Sequence, residues 1–185
     1  MIESITFITS HKQKAEQLSW YLNFPVDHHK VDLVEIQSLD PDMVASHKSL
    51  EAYNILQKPV LVEDISICFL ALGRLPGTYI KDFLKELGPE GLCKLLNGYN
   101  DRRAIVRPTF VLNTGSELKI FSAEMLGKIT NEPRGNAGFG TDNIFMPDGS
   151  QKTWGEMNEE EQKQTSVRKL ALEKLQKYLD EVNGV

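Results

Sequence analysis

The sequence predicts an α/β protein, a single two-lobed domain around a central mixed β-sheet with an antiparallel extension and an active-site cleft between the lobes. Two observations support this fold class. The first third of the chain alternates short apolar segments with amphipathic helical segments, which is typical of parallel strands joined by helices. Beyond residue 104, strand-like segments follow one another with only turns between them, which favours antiparallel pairing. With 185 residues and 41% hydrophobic content, we expect one domain over residues 1–185.

The chain opens with a strand and a helix. Residues 4–9 (SITFIT) alternate apolar and polar side chains as a strand does. Residues 11–22 follow as a helix, and one apolar face is formed by Ala15, Leu18 and Leu22.

A second strand, a helix and a third strand continue this order. Residues 30–37 (KVDLVEIQ) are predicted as the second strand. Asp40 and Pro41 begin a helix that runs to about Gln57, because Asp caps helices and Pro fits the first helical position. Residues 59–64 (PVLVED) are apolar without interruption, which predicts a parallel strand covered on both faces.

The second half is predicted to be largely antiparallel. Residues 80–87 and 90–99 indicate two short helices. Residues 104–113 and 117–130 indicate hairpin strands around a turn at residues 114–116.

A glycine-rich loop and a last helix complete the chain. The loop at residues 132–145 contains GNAGFGTD, but no helix is expected directly after it, so it does not match a dinucleotide-binding fingerprint. Asn158 caps the last helix, with Glu161 completing a variant of the capping box. The packed face of this helix comprises Leu172, Leu175, Leu179 and Val182.

Composition excludes several functional classes. A net charge of -5 argues against sequence-independent nucleic-acid binding, which needs a basic surface. Cys68 and Cys93 lie in apolar patterns and are too few for a disulfide framework, so we expect a reducing cytoplasm. We find neither a signal-peptide pattern at the N-terminus nor an apolar run of membrane-spanning length, and we expect no membrane partner.

Two adjacent carboxylates, Glu63 and Asp64, end the buried strand at residues 59–64. An ionised carboxylate loses hydration on burial unless a partner compensates for it. The partner could be a divalent metal, a lysine or a proton to be moved. Adjacent strand residues face opposite sides, so at least one of the two should face a cleft.

These segments together resemble the inosine triphosphate pyrophosphatase family, and the match looks close to its eukaryotic branch. The resemblance covers nearly the whole chain, through FITSHKQK, VDLVEIQ, PVLVEDISICFLALGRLPGTYIKDFL, GPEGLCKLLNGY, PRGNAGFGTDNIFMPDG and TWGEMNEEEQKQTSVRKLAL. It implies Mg²⁺-dependent hydrolysis of non-standard purine nucleoside triphosphates (ITP, dITP and XTP) to the monophosphate and pyrophosphate. It also implies a homodimer, and Mn²⁺ as an alternative metal.

The resemblance implies roles for the charged residues. Glu35 and Asp64 would hold the metal, with Glu63 as a third candidate ligand. Asp64, Glu35 and Lys48 would form the catalytic set, in which Asp64 orients or deprotonates the attacking water. The triphosphate would be gripped by Thr9, His11, Lys14, Lys48 and Lys81.

The base pocket departs from the family pattern. The resemblance implies base contacts from Phe139, Gly140, Thr141, Asp142, Gln162, Ser166, Val167 and Arg168. Thr141 stands where the family has an aromatic residue, Gln162 where it has lysine, and Val167 where it has histidine. His11 and Ile65 also replace the usual asparagine and hydroxyl residue. We therefore expect altered or relaxed base specificity.

Three functions remain open from the sequence. The first is an active Mg²⁺-dependent pyrophosphatase with a shifted or broad base preference, which the retained charged residues favour. The second is a nucleotide-binding pseudoenzyme or regulatory partner, which His11 and Val167 favour. The third is a pyrophosphatase for pyrimidine or damaged nucleotides, as in the related septum-inhibitor-like pyrophosphatases.

Overall fold

The computed structural model describes residues 1–9 and 12–184, without the side chains of residues 12, 13, 14, 17 and 20. The strands are β1 (Ile5–Ile8), β2 (Val26–His29), β3 (Val60–Phe69), β4 (Pro76–Gly77), β5 (Arg103–Asn113), β6 (Leu118–Ser122), β7 (Met125–Ile129) and β8 (Phe145–Pro147). The α-helices are α1 (Lys12–Leu22), α2 (Pro41–Leu56), α3 (Ile80–Lys94), α4 (Glu159–Gln164) and α5 (Val167–Asn183). Short 3-10 helices lie at Leu70–Leu72 and Trp154–Glu156.

The strands form one eight-stranded mixed sheet with the order β2-β1-β3-β5-β7-β8, in which β4 pairs with β3 and β6 with β5. Strand β1 is parallel to both β2 and β3. Antiparallel pairing joins β3 to β4, β5 to β6 and β7, and β7 to β8. The predicted α/β class, with a mixed sheet and an antiparallel extension, is confirmed.

The chain divides into two compact units, each built from separate stretches. The first unit contains Met1–Asp64, Pro108–Ala123 and Arg168–Val185, and the second contains Ile65–Arg107 and Glu124–Val167. Within the first unit, α2 packs on the sheet through a core of Ala45, Ala52, Val60, Val62 and Val111. No helix within the described part of the chain is long and apolar enough to cross a membrane.

Helix α2 has the predicted ends because both are encoded locally. The Asp40 side chain accepts hydrogen bonds from the backbone N–H groups of Asp42 and Met43, and Pro41 occupies the first helical position. Gln57 ends the helix in a left-handed conformation with φ of 53°.

The strand predicted at residues 30–37 is wrong, since the second strand is β2, immediately before that segment. The backbone N–H of Val34 donates to Glu51 Oε2 at 2.8 Å, so a side chain on α2 takes the hydrogen bond that a neighbouring strand would have taken. Alternating hydrophobicity at residues 30–37 reflects partial packing, in which Leu33 lies against the α2 core.

The predicted last helix is two helices, α4 and α5, which meet at Thr165 and Ser166. The predicted capping box is present, but it begins α4: Asn158 accepts from the Glu161 backbone, and the Glu161 side chain accepts from the Asn158 backbone. The two helices predicted at residues 80–87 and 90–99 lie within α3, on either side of a break in the helical backbone at Gly88, and the second ends at Lys94, earlier than predicted.

Candidate active site

The first unit brings all three predicted catalytic residues together. The Lys48 ammonium lies 2.8 Å from Glu35 Oε1 and 2.9 Å from Asp64 Oδ1. Lys48 comes from α2, Asp64 from β3, and Glu35 from the segment between β2 and α2. One lysine thus bridges the two carboxylates that the family resemblance assigns to a metal.

Helix α2 positions this cluster through its packed face. Lys48 lies three residues after buried Ala45 and four before buried Ala52, so all three side chains share the helix face that packs on the sheet. One turn later, Glu51 holds the Val34 backbone N–H at 2.8 Å. This contact fixes the residue next to Glu35 and so keeps Glu35 within reach of Lys48.

Burial governs the electrostatics of the cluster. Side-chain exposure is 12% for Lys48 and 13% for Asp64, against 51% for Glu35. Burial raises the pKa of the Asp64 carboxyl above its usual value, although Lys48 opposes this shift and Glu35 adds to it. Burial acts to lower the pKa of Lys48, but the charges and hydrogen bonds of Asp64 and Glu35 outweigh it, and the pKa is raised. Lys48 therefore remains protonated at physiological pH.

The carboxylates also have the chemistry of a metal site that a substrate completes. Asp64 Oδ2 is buried and accepts no hydrogen bond from any described residue. Within residues 1–9 and 12–184, no three His, Cys, Asp or Glu side chains gather as a metal cage. Mg²⁺ is commonly held by one or two carboxylates, with substrate phosphates and water as its other ligands. Glu35 and Asp64 fit this arrangement.

Glu63, the third predicted metal ligand, is held elsewhere. Its carboxylate accepts from Nε of Arg168 and, at 3.1 Å, from Nη2 of the same side chain. The Arg168 guanidinium lies 5.4 Å from the centre of the Phe110 ring. Only 8% of the Glu63 side chain is exposed. We therefore leave Glu63 out of the metal pair.

The remaining residues predicted to bind triphosphate are described only in part. Thr9 follows β1, and its backbone N–H donates to the His29 carbonyl at 3.1 Å. Lys81 lies in the first turn of α3, in the second unit, and its side chain is exposed. His11 and the side chain of Lys14 lie outside the described residues.

The glycine-rich loop of the second unit is fixed by Asp142. Asp142 Oδ2 accepts from the Phe139 backbone N–H at 2.8 Å, and the Asp142 carbonyl accepts from Gly155 N at 2.7 Å. A Cβ at Gly138 would lie 2.1 Å from Asp142 Oδ2, so the tight turn requires glycine there. Burial raises the pKa of Asp142, although the Phe139 N–H opposes the shift. Phe139 itself is 69% exposed.

The three family departures in the base pocket have different surroundings in the second unit. Gln162 Nε2 donates to the Trp154 carbonyl at 2.8 Å, so its amide supports the 3-10 helix. Val167, the first residue of α5, is buried with 5% exposure. Thr141 lies in the loop, half-buried next to exposed Gly140, and Ser166 is half-buried just before α5.

The predicted site lacks three residues that support these groups: Trp154, Glu51 and Phe110. The Trp154 ring packs 4.6 Å from Phe145 between centroids, and its indole N–H donates to Thr165 Oγ1 at 3.0 Å. The TWGEM segment was part of the resemblance and offered a signal for Trp154. Glu51 and Phe110 act through partners distant in sequence, for which no local pattern exists.

Comparison with known proteins gives a family and two relatives. A sequence model described as the Ham1 family matches residues 5–178. Over 172 residues the chain is 40% identical to inosine triphosphate pyrophosphatase 2 of Trypanosoma cruzi (strain CL Brener) and 39% identical to inosine triphosphate pyrophosphatase 1 of the same strain. Each alignment covers 91% of this chain and 88% of the relative.

A solved structure supports the fold assignment. The Ham1 protein of Staphylococcus aureus superposes with a TM-score of 0.85 at 26% sequence identity. The superposition covers 96% of this chain and 98% of that protein.

Proposed function

Since this chain belongs to the Ham1 family, we propose that it hydrolyses non-standard purine nucleoside triphosphates, ITP, dITP and XTP, to the monophosphate and pyrophosphate in the presence of Mg²⁺. The observation that supports this proposal most directly is the cluster of Glu35, Lys48 and Asp64, in which one oxygen of Asp64 is buried without a described hydrogen-bond donor.

The proposed mechanism assigns one task to each residue of the cluster. Asp64 orients and deprotonates the water that adds to the α-phosphorus, and the bond to the β-phosphate oxygen breaks to release pyrophosphate. A buried carboxylate with a raised pKa accepts a proton more readily than an ordinary one. Lys48 binds the phosphates as a point charge. Mg²⁺, when held by Glu35 and Asp64, would neutralise charge that develops on the leaving pyrophosphate.

Asp64→Asn tests this assignment, because it keeps the shape of the side chain and removes its charge. Pyrophosphate release from ITP should fall at least about a hundredfold, the scale for loss of a positioned acid-base group. Asp101→Asn is the matched control, since Asp101 pairs with Arg103 at the surface. Near-normal turnover of a folded Asp64→Asn protein would exclude the role.

We propose that base specificity is relaxed. Gln162 is engaged by the Trp154 carbonyl, and Val167 offers no hydrogen bond, so neither supplies the polar contact expected from the lysine and histidine of the family. The ratio of kcat/KM for ITP over ATP tests this. Discrimination by several orders of magnitude would contradict it.

A triphosphate panel separates the alternative functions. Turnover confined to pyrimidine or damaged nucleotides would favour the third function, and silence on every substrate would favour a nucleotide-binding pseudoenzyme. We also propose a homodimer in the cytoplasm. The free thiols of Cys68 and Cys93 agree with a reducing compartment. Light scattering after size-exclusion chromatography tests the dimer, since a monomer mass would contradict it.

A further inference from the structure

Lys48 pairs with one oxygen of each carboxylate that would hold a divalent cation, Oε1 of Glu35 and Oδ1 of Asp64. Its ammonium lies 2.8 Å from Glu35 and 2.9 Å from Asp64. A metal held by both carboxylates must therefore compete with a cation that is already hydrogen-bonded to each.

The burial of Lys48 limits where the displaced ammonium can go. Only 12% of its side chain is exposed, and a buried ammonium without an anionic partner is strongly unfavourable. A triphosphate supplies such a partner beside the carboxylates. The ammonium can then move from carboxylate to phosphate without losing its charge compensation.

We infer that Lys48 makes metal binding and triphosphate binding interdependent. While Lys48 pairs with Glu35 and Asp64, it opposes metal binding. Once Lys48 pairs with a phosphate instead, this opposition ends. This role rests on the proposed function and adds to it an order of assembly. By linkage, each ligand then increases the affinity for the other by the same factor. Free metal would be bound weakly, and the metal complex of the nucleotide would be bound strongly.

Metal binding without nucleotide tests the inference independently of catalysis. Mn²⁺ is titrated at pH 8 into the wild type, Lys48→Met and Lys48→Gln, and free Mn²⁺ is measured by electron paramagnetic resonance. Both variants should bind Mn²⁺ on the order of tenfold more tightly than the wild type, within the usual range of coupling between ligands. Lys48→Gln removes the charge but keeps a polar hydrogen-bond donor at the end of the side chain, so it provides a second neutral variant if Lys48→Met is unstable.

Two controls isolate the charge of Lys48. Lys48→Arg keeps the charge and should bind Mn²⁺ as weakly as the wild type. Lys119→Met removes a lysine that pairs with Glu117 at 2.9 Å in the same unit, and should also leave the Mn²⁺ affinity unchanged. Mn²⁺ affinity that is unchanged or weaker in folded Lys48→Met and Lys48→Gln would overturn the inference.

A second titration measures the coupling itself. The α,β-methylene analogue of ITP is titrated into each protein with and without Mn²⁺, and the ratio of the two Kd values gives the coupling factor. This factor should be smaller in both neutral variants than in the wild type, and an equal or larger factor would also overturn the inference. If the analogue binds no variant and no triphosphate is hydrolysed, the proposed function fails and the coupling with it, while the Mn²⁺ titration still decides whether Lys48 opposes the metal.

Discussion

Replacing Arg168 with Met should destabilise the protein by about 3 kcal/mol, because it leaves a buried carboxylate without its partner. Arg168 donates two hydrogen bonds to Glu63, and only 8% of the Glu63 side chain is exposed. The substitution also removes the guanidinium that lies over the Phe110 ring, 5.4 Å from the centroid. Removing one member of such a pair destabilises the protein more than removing both, because the remaining charge is still buried away from water and has no partner.

This effect is measured by urea denaturation of the wild type, Arg168→Met, Glu63→Met and the double variant. The double variant should recover much of the loss, because two apolar side chains replace a buried pair, and the cycle gives the coupling energy. Arg103→Met is the matched control: Arg103 makes the same type of contact with Asp101 at 2.8 Å, but both side chains are exposed. We expect no measurable change in that variant.

The reasoning would be refuted if Arg168→Met were no more destabilising than Arg103→Met. In that case the burial of Glu63 would not affect the free energy of unfolding. The destabilisation must appear as a shift in the denaturation midpoint at an unchanged m-value, since a changed m-value would indicate an altered denatured state.

Three further predictions follow from single contacts. Glu35→Gln should raise the Mg²⁺ concentration needed for half-maximal turnover, and an unchanged titration would exclude Glu35 as a ligand. Gly135→Ala should lower the melting temperature more than Gly149→Ala. Both glycines have φ near 80°, but only at Gly135 would a Cβ meet the backbone, 2.0 Å from the Gly155 carbonyl oxygen. Equal decreases in melting temperature would contradict this. Asp142→Asn should raise the melting temperature at neutral pH. The pKa of Asp142 is raised in the folded protein, so its contribution to the stability of the fold is complete below the usual pKa of 3.8 and is lost as the pH rises through the raised pKa. The difference should vanish in acid, and a difference independent of pH would refute it.

Helix α2 and the first half of strand β3 were predictable because their signals are local. Asp40 satisfies free N–H groups two and three residues away, and Pro41 already has the helical φ angle. The apolar run that begins β3 is buried on both faces, as its composition indicates. Such features depend on neighbours in sequence, so a single sequence contains the necessary information.

Strand β2 could not be recognised in this way. In Val26–His29 only Val26 is partly buried and the other three residues are exposed, because β2 pairs with β1 at the edge of the sheet. Backbone hydrogen bonds to β1 hold it in place, and those bonds leave no pattern in side-chain polarity. Hydrophobic and polar residues alternate more strongly at residues 30–37, so the second strand is predicted there instead of at Val26–His29.

The site shows the same division between local and distant information. The sequence predicts two carboxylates at the end of one buried strand, but β3 continues to Phe69, so the two carboxylates lie within it. Their partners lie on different helices: Lys48 on α2 for Asp64, and Arg168 on α5 for Glu63. Because successive strand residues face opposite sides, one dipeptide supplies two independent ion pairs. The partner of Asp64 is a flexible point charge, which we propose moves to a phosphate, whereas the partner of Glu63 is a planar fork fixed by two hydrogen bonds. We therefore expect the two adjacent acids to differ: loss of charge at Asp64 should affect turnover, while loss of charge at Glu63 should affect stability.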